Sequence, residues 1–440
     1  MEDKMSERMP KVLVVAINAW QDQGANHTLS EIFSCWDKSK VSQIYVRGGL
    51  PSTAVCDRFL RISENDIIRS VVKRNTKTAS VVENCFGELS EAQQKELELE
   101  RKRYSKRKKN NSSVKSLCRE VIWFLSKWKS KELLDFIKES DPDVIFLPMV
   151  PVVYMPRIQY YIVRTLKKPT VFYILDDCYS YRNMKKSPLT FLQRFWGRIY
   201  IKKIMKHTDR IFTMTPKASE TFEKIFSVKA SILTKAVDYS NLEFCPESPR
   251  EPLTMVYTGR LYFGREDALA NIAKAVHSIN RDGERLRLHI YAPEKVSDEA
   301  LLRELHHSVK YMGEVTRNEV KRIQQESDIA IFAESLHKKY RYAAGMSFST
   351  KLTDYFASGR CIFAVGDKDI APIDYLMRED AACVVTDYKD IEATLRRLCD
   401  NPELITEYGR KAFECGKRNH SDTGVYPAFI KEMKEIAGEY

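Results

Sequence analysis

Two short stretches in the C-terminal half carry side chains that suit a diphosphate joined to a diol. The first is residues 258–261, Thr-Gly-Arg-Leu, with a second cation at Arg265. The second covers residues 347–355, Ser-Phe-Ser-Thr-Lys-Leu-Thr-Asp-Tyr, and is closed by Gly359. One stretch offers paired guanidiniums, and the other offers hydroxyls, a lysine and a carboxylate. Together they predict a site for a nucleoside-diphosphate sugar.

The second stretch has the pattern of a helix N-terminus that binds phosphate. Apolar residues recur at helical spacing from Leu352, Ser349 is a suitable N-cap residue, and Gly359 is placed to end the helix in the left-handed region. The first turn of such a helix has unpaired N–H groups and the positive end of the helix dipole. Lys351 adds a charge to that turn, so we expect it to bind an anion.

A carboxylate lies one turn further along the same predicted helix. Thr350 and Asp354 are four residues apart and therefore share a face. A carboxylate in this position can accept both hydroxyls of a ribose, as an acidic residue does in dinucleotide-binding folds. The alternative is an ordinary capped surface helix in which Asp354 pairs with Lys351.

The first stretch follows a predicted strand. Residues 253–257, Leu-Thr-Met-Val-Tyr, have the composition of a buried strand, and Gly259 and Arg260 follow where a strand-to-helix loop belongs. Ligands of doubly wound sheets bind at the carboxyl ends of strands, and arginine offers a planar fork for phosphate oxygens. The alternative is that Arg260 and Arg265 are solvated loop residues. Both stretches occur in one predicted domain, which favours the phosphate site.

Residues 259–265 resemble the glycine-arginine-leucine…lysine signature of GT-B glycosyltransferases related to the sucrose-synthase-like family, with arginine where lysine is usual. Residues 349–361 are similar to the serine-x-lysine-leucine-x-glutamate-tyrosine…glycine-x-proline segment of that family. The resemblance implies an α/β fold of the GT-B class, with two Rossmann-like doubly wound parallel-sheet domains facing a cleft. It implies ribose binding by Asp354. It implies pyrophosphate binding by Arg260, Arg265, Ser349, Thr350 and Lys351.

Three further positions depart from the family pattern. Met346 stands where retaining members carry a glutamate, so the resemblance leaves the inverting or retaining outcome open. Asp354 replaces the family's ribose-binding glutamate and is shorter by one methylene. Cys361 replaces the proline of the signature, which concerns only the entry into the next strand.

The N-terminal half is predicted to be the acceptor domain. Residues 12–17 form a continuous apolar run, typical of the central strand of a parallel sheet. Further strands are predicted at 41–46, 144–147, 171–175 and 210–214. The polar loop after the first strand looks like the opening of some capsule and exopolysaccharide transferases and is expected to face the acceptor; its candidate residues are Asn18, Trp20, Gly24 and Asn26, ahead of an N-cap at Thr28.

Asp176 and Asp177 directly follow the predicted strand 171–175 and are candidates for the general base of an inverting transfer. Neighbouring carboxylates can raise one pKa toward a useful range. His27 and Asp22 are alternative bases. In the other interpretation, one of the paired aspartates caps the following turn and its neighbour is solvated. Asp176 and Asp177 are adjacent and so do not form the aspartate-x-aspartate pattern of metal-dependent transferases. Because the cations of the two motifs suit a diphosphate, we expect neither a metal nor a cofactor.

The positive charge is concentrated in one segment. The chain has a net charge of +12, and residues 101–131 contain 12 Lys or Arg and one Glu. Cations beside exposed aromatic residues, here expected at Trp123, Phe124 and Trp128, suit the anionic surface of a membrane, where a lipid-linked acceptor would lie. The alternative is a disordered basic loop followed by a core helix that contains Trp123. Nucleic acid is disfavoured, because the rest of the chain is nearly neutral and contains no recognisable nucleic-acid module.

The remaining patterns indicate a two-domain cytoplasmic protein that is peripheral at the inner face of the membrane. The longest apolar runs have about six residues, which is short of the ~20 that cross a bilayer. The ten cysteines form no Cys-x-x-Cys pair, which is typical of reduced thiols. The predicted domains are 1–240 and 253–425, joined by a linker at 241–252, and residues 426–440 form a helix that crosses back to the first domain.

The sequence therefore predicts a glycosyltransferase that moves a sugar from a nucleoside-diphosphate donor to a glycan or lipid-linked acceptor in polysaccharide biosynthesis. UDP is favoured by its frequency in the resembled family. Two alternatives stay open. One is a nucleotide-sugar 2-epimerase of the same fold. The other is a non-catalytic subunit that binds nucleotide sugar or glycan, an alternative that Met346 keeps open.

Overall fold

The computed structural model describes residues 9–22, 27–47, 49–73, 76–87, 112–182, 184, 187–246, 248–293, 309–341 and 345–438. They form two compact units. The first unit contains the described residues up to Met214, together with Ser219–Leu233 and the chain from Tyr426 onward. The second unit contains Thr215–Ala218 and Thr234–Val425.

The first unit is built on a sheet that, within the described part of the chain, has eight strands in the order β4-β3-β2-β1-β5-β6-β7-β8. The pairings are parallel except that between β3 and β4. The strands are β1 (Val12–Val15), β2 (Val41–Tyr45), β3 (Arg58–Ile62), β4 (Ala79–Val82), β5 (Val144–Pro148), β6 (Thr170–Ile174), β7 (Arg210–Thr213) and β8 (Ala230–Ile232). The central strands β1, β2, β5 and β6 are buried along their whole length, as expected when helices cover both faces of a parallel sheet.

Helices connect these strands, and three of them begin at a serine cap. The helices are α1 (His27–Ile32), α2 (Glu64–Val72), α3 (Ser113–Leu125), α4 (Lys131–Ser140), α5 (Tyr154–Leu166), α6 (Pro188–Met205) and α7 (Pro216–Phe226). The side chains of Ser63, Ser112 and Ser130 accept N–H groups in the first turns of α2, α3 and α4. Each cap satisfies a backbone donor that a helix start leaves without an intrahelical partner.

The second unit has a parallel sheet whose described strands run in the order β11-β10-β9-β12-β13-β14. The strands are β9 (Leu253–Thr258), β10 (Leu286–Tyr291), β11 (Val309–Gly313), β12 (Ile329–Ala333), β13 (Cys361–Val365) and β14 (Cys383–Val385). The helices are α8 (Arg265–Ile279), α9 (Arg317–Glu326), α10 (Lys338–Arg341), α11 (Lys351–Ser358), α12 (Ala371–Arg378), α13 (Ile391–Asp400), α14 (Pro402–Asn419) and α15 (Asp422–Ala437). The apolar side chains of the strands and of α8 and α13 form one buried core.

The last helix returns to the first unit from Tyr426 onward. Phe429 packs its ring against Phe33, Phe146 and Phe212, at centroid distances of 5.6, 6.5 and 5.6 Å. Arg210 donates from Nη1 to the Glu432 carboxylate at 2.6 Å. The core of the first unit therefore includes residues from the far end of the chain.

The predicted fold class is confirmed: two mostly parallel, doubly wound sheets with flanking helices. The run at 12–17 forms the central strand β1, which pairs with β2 on one side and β5 on the other. The predicted N-cap at Thr28 is wrong, because α1 already begins at His27. No helix in the described ranges is both long enough and apolar enough to cross a membrane.

Candidate functional site

In the second unit, Gly259 lets the two motifs approach each other. β9 ends at Thr258, and Gly259 follows with φ +147, in a region that side chains other than glycine rarely adopt. A Cβ atom at this position would collide with the ammonium Nζ of Lys351. The first residue of α11 therefore reaches the carboxyl end of β9 through the space that a side chain would fill.

The lysine charge lies at this end of the sheet. The Nζ atom of Lys351 is 4.9 Å from the ring centroid of Tyr257. The Tyr257 hydroxyl donates to the carbonyl of Arg260 at 2.6 Å and so holds the loop after β9. Arg260 itself is exposed, with its guanidinium 6.0 Å from the Tyr262 ring. Two cations thus lie at the edge where ligands of such sheets bind.

Buried hydroxyls fix α11 against β9. Tyr355 is fully buried, and its hydroxyl donates to the Ile331 carbonyl at 3.0 Å and lies 3.4 Å from Thr258 Oγ1. Gln324 donates to the same Thr258 oxygen at 2.8 Å. Burial raises the pKa of Tyr355 to about 12, so the hydroxyl keeps its proton at neutral pH. The last residue of the second motif is therefore tied to the first residue of the first motif.

The start of α11 differs from the prediction in one detail. Thr350, and not Ser349, is the N-cap residue, and its side chain makes no capping hydrogen bond. Ser349 contributes its carbonyl, which accepts the Leu352 N–H at 3.0 Å. Thr350 has helical dihedral angles, φ −60 and ψ −13, instead of the extended angles that a capping residue usually adopts. The predicted end is confirmed, because Gly359 closes the helix with φ +65.

The candidate ribose carboxylate has a partner that the sequence did not reveal. Lys235 donates from Nζ to Asp354 Oδ1 at 3.1 Å, and the lysine side chain is only 9% exposed. Lys235 belongs to a segment in which the Val237 N–H donates to the His420 carbonyl at 2.8 Å. The ion pair fixes the orientation of the carboxylate. No local pattern indicates it, because the two residues are 119 positions apart.

Arg265 is the first residue of α8, and its guanidinium is engaged by a carboxylate. Its Nε and Nη2 donate to Glu334 Oε1 at 3.1 and 2.6 Å. Burial alone would lower the pKa of this guanidinium, but the Glu334 carboxylate outweighs burial and raises it. Glu334 directly follows β12 and is itself buried. Sequence reasoning missed this residue, which holds Arg265 at the same edge of the sheet.

A buried histidine packs against the second motif. The His420 ring stacks on Phe348 and Phe356 at centroid distances of 5.5 and 5.3 Å. Its Nε2 lies 2.9 Å from the Tyr375 hydroxyl. Burial lowers the pKa of His420 to about 4, so the ring is neutral at pH 7. One uncharged side chain therefore packs against both the loop before α11 and the helix itself.

In the first unit, the two candidate aspartates differ in their surroundings. Asp177 accepts the N–H groups of Tyr179 and Ser180 at 3.0 and 2.8 Å, and the Ser180 hydroxyl also bonds to it. Asp177 therefore closes the turn after β6, as the alternative interpretation expected of one aspartate. Asp176 is exposed at the carboxyl end of β6. Its role as a base stays a prediction.

His27, the alternative base, has a carboxylate partner. Its Nε2 lies 3.1 Å from Glu31 Oε1, one turn further along α1. Both side chains are partly buried. A carboxylate beside an imidazole can orient the ring for proton transfer. Glu31 was missed, although its spacing of four residues from His27 is a signal that would have found it.

The predicted acceptor loop is only partly described. Trp20 is fully buried, and its indole N–H donates to Ser30 Oγ at 2.7 Å, so it serves the core instead of the loop surface. The Asn18 carbonyl accepts from Gln43 Nε2 at 3.2 Å. Gly24 and Asn26 lie outside the described residues.

The basic segment is also only partly described. Residues 101–111 lie outside the described part of the chain, and α3 follows them. Trp123 is buried and stacks on Tyr154 at 4.4 Å, as the core-helix alternative expected, and Trp128 is buried as well. Phe124 and Leu125 of the same helix are exposed. The expectation of exposed aromatics is therefore wrong for the two tryptophans and right for Phe124.

Comparison with known proteins gives similarity in structure but not in sequence. No family model matches the chain. No curated protein matches it either.

Solved structures match the chain over nearly its whole length. They include sucrose-phosphate synthase from Thermosynechococcus elongatus, with a TM-score of 0.61, 10% identity, and coverage of 98% of this chain and 100% of the other. Anabaena HepE in complex with UDP has a TM-score of 0.59 and 9% identity, over 97% of this chain and 100% of the other. The UDP-forming trehalose-phosphate synthase from Burkholderia vietnamiensis has a TM-score of 0.57 and 12% identity, over 98% and 99%. The chain has the GT-B fold.

Proposed function

We propose that the protein is a glycosyltransferase whose second unit binds a nucleoside-diphosphate sugar, with UDP as the favoured nucleotide. The observation that carries the proposal is the approach of Lys351 to Gly259, which joins two motifs at one strand end. Similarity in fold to HepE, which was solved with UDP and with UDP-glucose, supports the same nucleotide.

The charges fit the parts of such a donor. Lys351, Arg260 and the first turn of α11 would neutralise the diphosphate, with Ser349 and Thr350 offering hydroxyls. Asp354 would accept the ribose hydroxyls through the oxygen that Lys235 does not hold. Arg265, fixed by Glu334, would complete the positive edge. With fixed cations at the leaving diphosphate, the transfer requires no divalent metal.

The first unit would supply the acceptor side of the reaction. A base must take the proton from the acceptor hydroxyl if the transfer inverts the anomeric centre. Asp176 and the His27–Glu31 pair are the candidates, whereas Asp177 is already engaged by its own turn. The acceptor that we propose is a glycan or a lipid-linked sugar of polysaccharide assembly.

Thermal unfolding with a panel of UDP, GDP, ADP, CMP and dTDP tests the donor site. A nucleotide at one hundred times its Kd stabilises the folded state by about 2.7 kcal/mol, which raises the thermal midpoint by roughly 5–11 °C for domains of this size. We expect this shift with UDP in the wild type and not in Asp354→Ala. The matched control is Asp400→Ala, which also removes a helical aspartate from an ion pair in the second unit, with Arg285 at 2.9 Å. A shift that Asp354→Ala retains would contradict the assignment.

Turnover distinguishes the reaction. Sugar transfer that requires an added acceptor supports the proposal. Conversion of UDP-sugar to its 2-epimer without an acceptor would instead identify an epimerase. UDP binding without turnover across the acceptor panel would identify a non-catalytic binding subunit, and either result would overturn the proposed transferase.

A further inference from the structure

Helix α6 of the first unit presents large apolar side chains to solvent. Five such side chains are between 37% and 50% exposed: Phe191, Leu192, Phe195, Trp196 and Ile199. They are spaced at three to four residues and so lie on one face. The opposite face is buried through Gly197, Ile201, Ile204 and Met205. The helix is thus apolar on both sides, unlike a surface helix of a soluble domain.

The charges of α6 are all positive. Lys202, Lys203 and Lys206 continue the exposed face in and just after its last turn. Residues 188–206 contain no Asp or Glu. The outer face of the helix therefore changes from apolar to cationic along its length, without an exposed carboxylate.

Helix α3 adjoins this face and repeats its character. Ser113 and Thr190, near the starts of α3 and α6, have their hydroxyls 3.3 Å apart. The residues that follow them, Val114 and Phe191, are both exposed, so the two outer faces meet here. The exposed side of α3 continues through Cys118, Val121, Phe124 and Leu125. The guanidinium of Arg157 lies 4.8 Å from the Phe124 ring.

The one acid within the sequence of α3 is withdrawn from the surface. Residues 112–131 contain five Lys or Arg and one carboxylate, Glu120. Glu120 is buried and accepts the N–H groups of Val153 and Tyr154 at 3.0 and 2.9 Å. It caps the start of α5, and no other carboxylate of this stretch offsets the cations.

We propose that the outer faces of α3 and α6 bind the anionic surface of a lipid bilayer. The apolar side chains would enter the boundary between headgroups and acyl chains, and the lysines would meet lipid phosphates. Charge complementarity favours a lipid surface, because Lys202, Lys203 and Lys206 continue the apolar face of α6 and residues 188–206 contain no carboxylate. The sequence placed membrane contact at 101–131, whereas this surface centres on α6. The inference does not depend on the proposed reaction.

Trp196 provides a direct probe in the full-length protein. The chain has five tryptophans. Trp196 is 40% exposed, and Trp20, Trp36, Trp123 and Trp128 are at most 5% exposed. We expect its fluorescence emission to shift to shorter wavelength with vesicles of mixed phosphatidylcholine and phosphatidylglycerol, and to remain unchanged with phosphatidylcholine alone.

Paired variants separate the apolar and charged contributions. Phe195→Ser/Ile199→Ser should weaken vesicle affinity roughly 30-fold, since each side chain would bury about half its surface in lipid. Lys202→Gln/Lys203→Gln should weaken it by a similar factor of roughly 30, because each cation near an anionic surface contributes about 1 kcal/mol. The matched controls are Ile225→Ser/Met377→Ser, which have similar exposure, and Lys224→Gln/Lys229→Gln, which have the same charge change. Circular dichroism verifies that every variant is folded.

Three results would overturn the proposal. The first is an unchanged Trp196 spectrum with anionic vesicles. The second is equal loss of binding in the controls and in the α6 variants. The third is self-association in light scattering that Phe195→Ser/Ile199→Ser abolishes while no vesicles bind, which would assign the face to a second copy of the chain. Nucleotide binding is measured on the same samples, so failure of the donor site would be seen separately.

Discussion

The carboxyl ends of the strands differ between the two units. In the second unit, Thr258 and Tyr355 connect two motifs through buried hydroxyls, and Lys351 fills the space beside Gly259. In the first unit, the candidate residues are used separately: Trp20 enters the core and Asp177 closes a turn. Two motifs that converge at one strand end are stronger support for a ligand site than single polar residues in a loop.

The largest expected effect on nucleotide binding concerns the lysine that joins the motifs. Lys351→Ala removes a charged partner of the phosphate, and such a hydrogen bond contributes about 1.5–3 kcal/mol, so UDP affinity should fall roughly 10- to 150-fold. Isothermal titration calorimetry measures this. Lys368→Ala, an exposed lysine of the same unit, serves as control and should retain the wild-type Kd. If the wild type, Lys351→Ala and Lys368→Ala bound UDP with equal affinity, Lys351 would not contact the nucleotide. The motifs of the second unit would then give no more support for a ligand site than the loop residues of the first.

The next effect tests whether the second motif depends on a neutral histidine. Because burial lowers the pKa of His420 from 6.5 to about 4, the unfolded chain takes up this proton first as the pH falls. Stability is fully present above pH 6.5 and declines toward pH 4 by up to about 1.4 kcal/mol per pH unit. His420→Phe keeps the ring stacking and removes the titration, so its thermal midpoint should fall less between pH 6.5 and 5.

The exposed His337 gives the control for that experiment, since His337→Phe removes a histidine of the same unit that is not stacked in the core. Its midpoint should decline with pH as in the wild type. If the thermal midpoints of His420→Phe and the wild type fell equally between pH 6.5 and 5, the stability of the second motif would not depend on a neutral ring at His420.

The smallest effect separates the two aspartates of the first unit. Asp177→Ala removes the acceptor of two backbone N–H groups and should destabilise the fold by about 1 kcal/mol, as loss of a cap does. Asp176→Ala should change stability by no more than about 0.5 kcal/mol, as is usual for exposed positions. Urea titration followed by circular dichroism compares them. The reverse order would show that the turn after β6 is held by Asp176.

The catalytic role of Asp176 is tested by measuring the activity of the Asp176→Ala variant. If Asp176 is the base, Asp176→Ala should lower kcat by a factor of about 10²–10⁴ with UDP affinity unchanged. Comparable loss in His27→Ala, with Asp176→Ala fully active, would move the base to the His27–Glu31 pair.

Much of the fold was predictable, because parallel strands buried on both faces appear as continuous apolar runs, as at residues 12–17. Gly259 and Gly359 are also recognisable in the sequence, because their positive φ angles restrict the residue type at these positions. Strand β3 was not predicted, because its alternating Arg-Phe-Leu-Arg-Ile sequence lacks such a run.

The rest of the candidate site depends on contacts distant in sequence. Lys235, Glu334 and His420 reach the motifs only through the tertiary fold, and their own neighbours in sequence give no sign of it. Trp20 could not be assigned from sequence for a related reason. A tryptophan in a polar loop suits either a sugar or the core, and only packing decides between them.

Hydrogen–deuterium exchange with and without UDP tests the central claim most directly, namely that the two motifs form one nucleotide site. Slower exchange on UDP addition in peptides covering both 258–265 and 349–356, with no change in α6, is the result that we predict. Protection of only one of these stretches, or protection located elsewhere in the chain, would contradict a shared site built on Lys351 and Gly259.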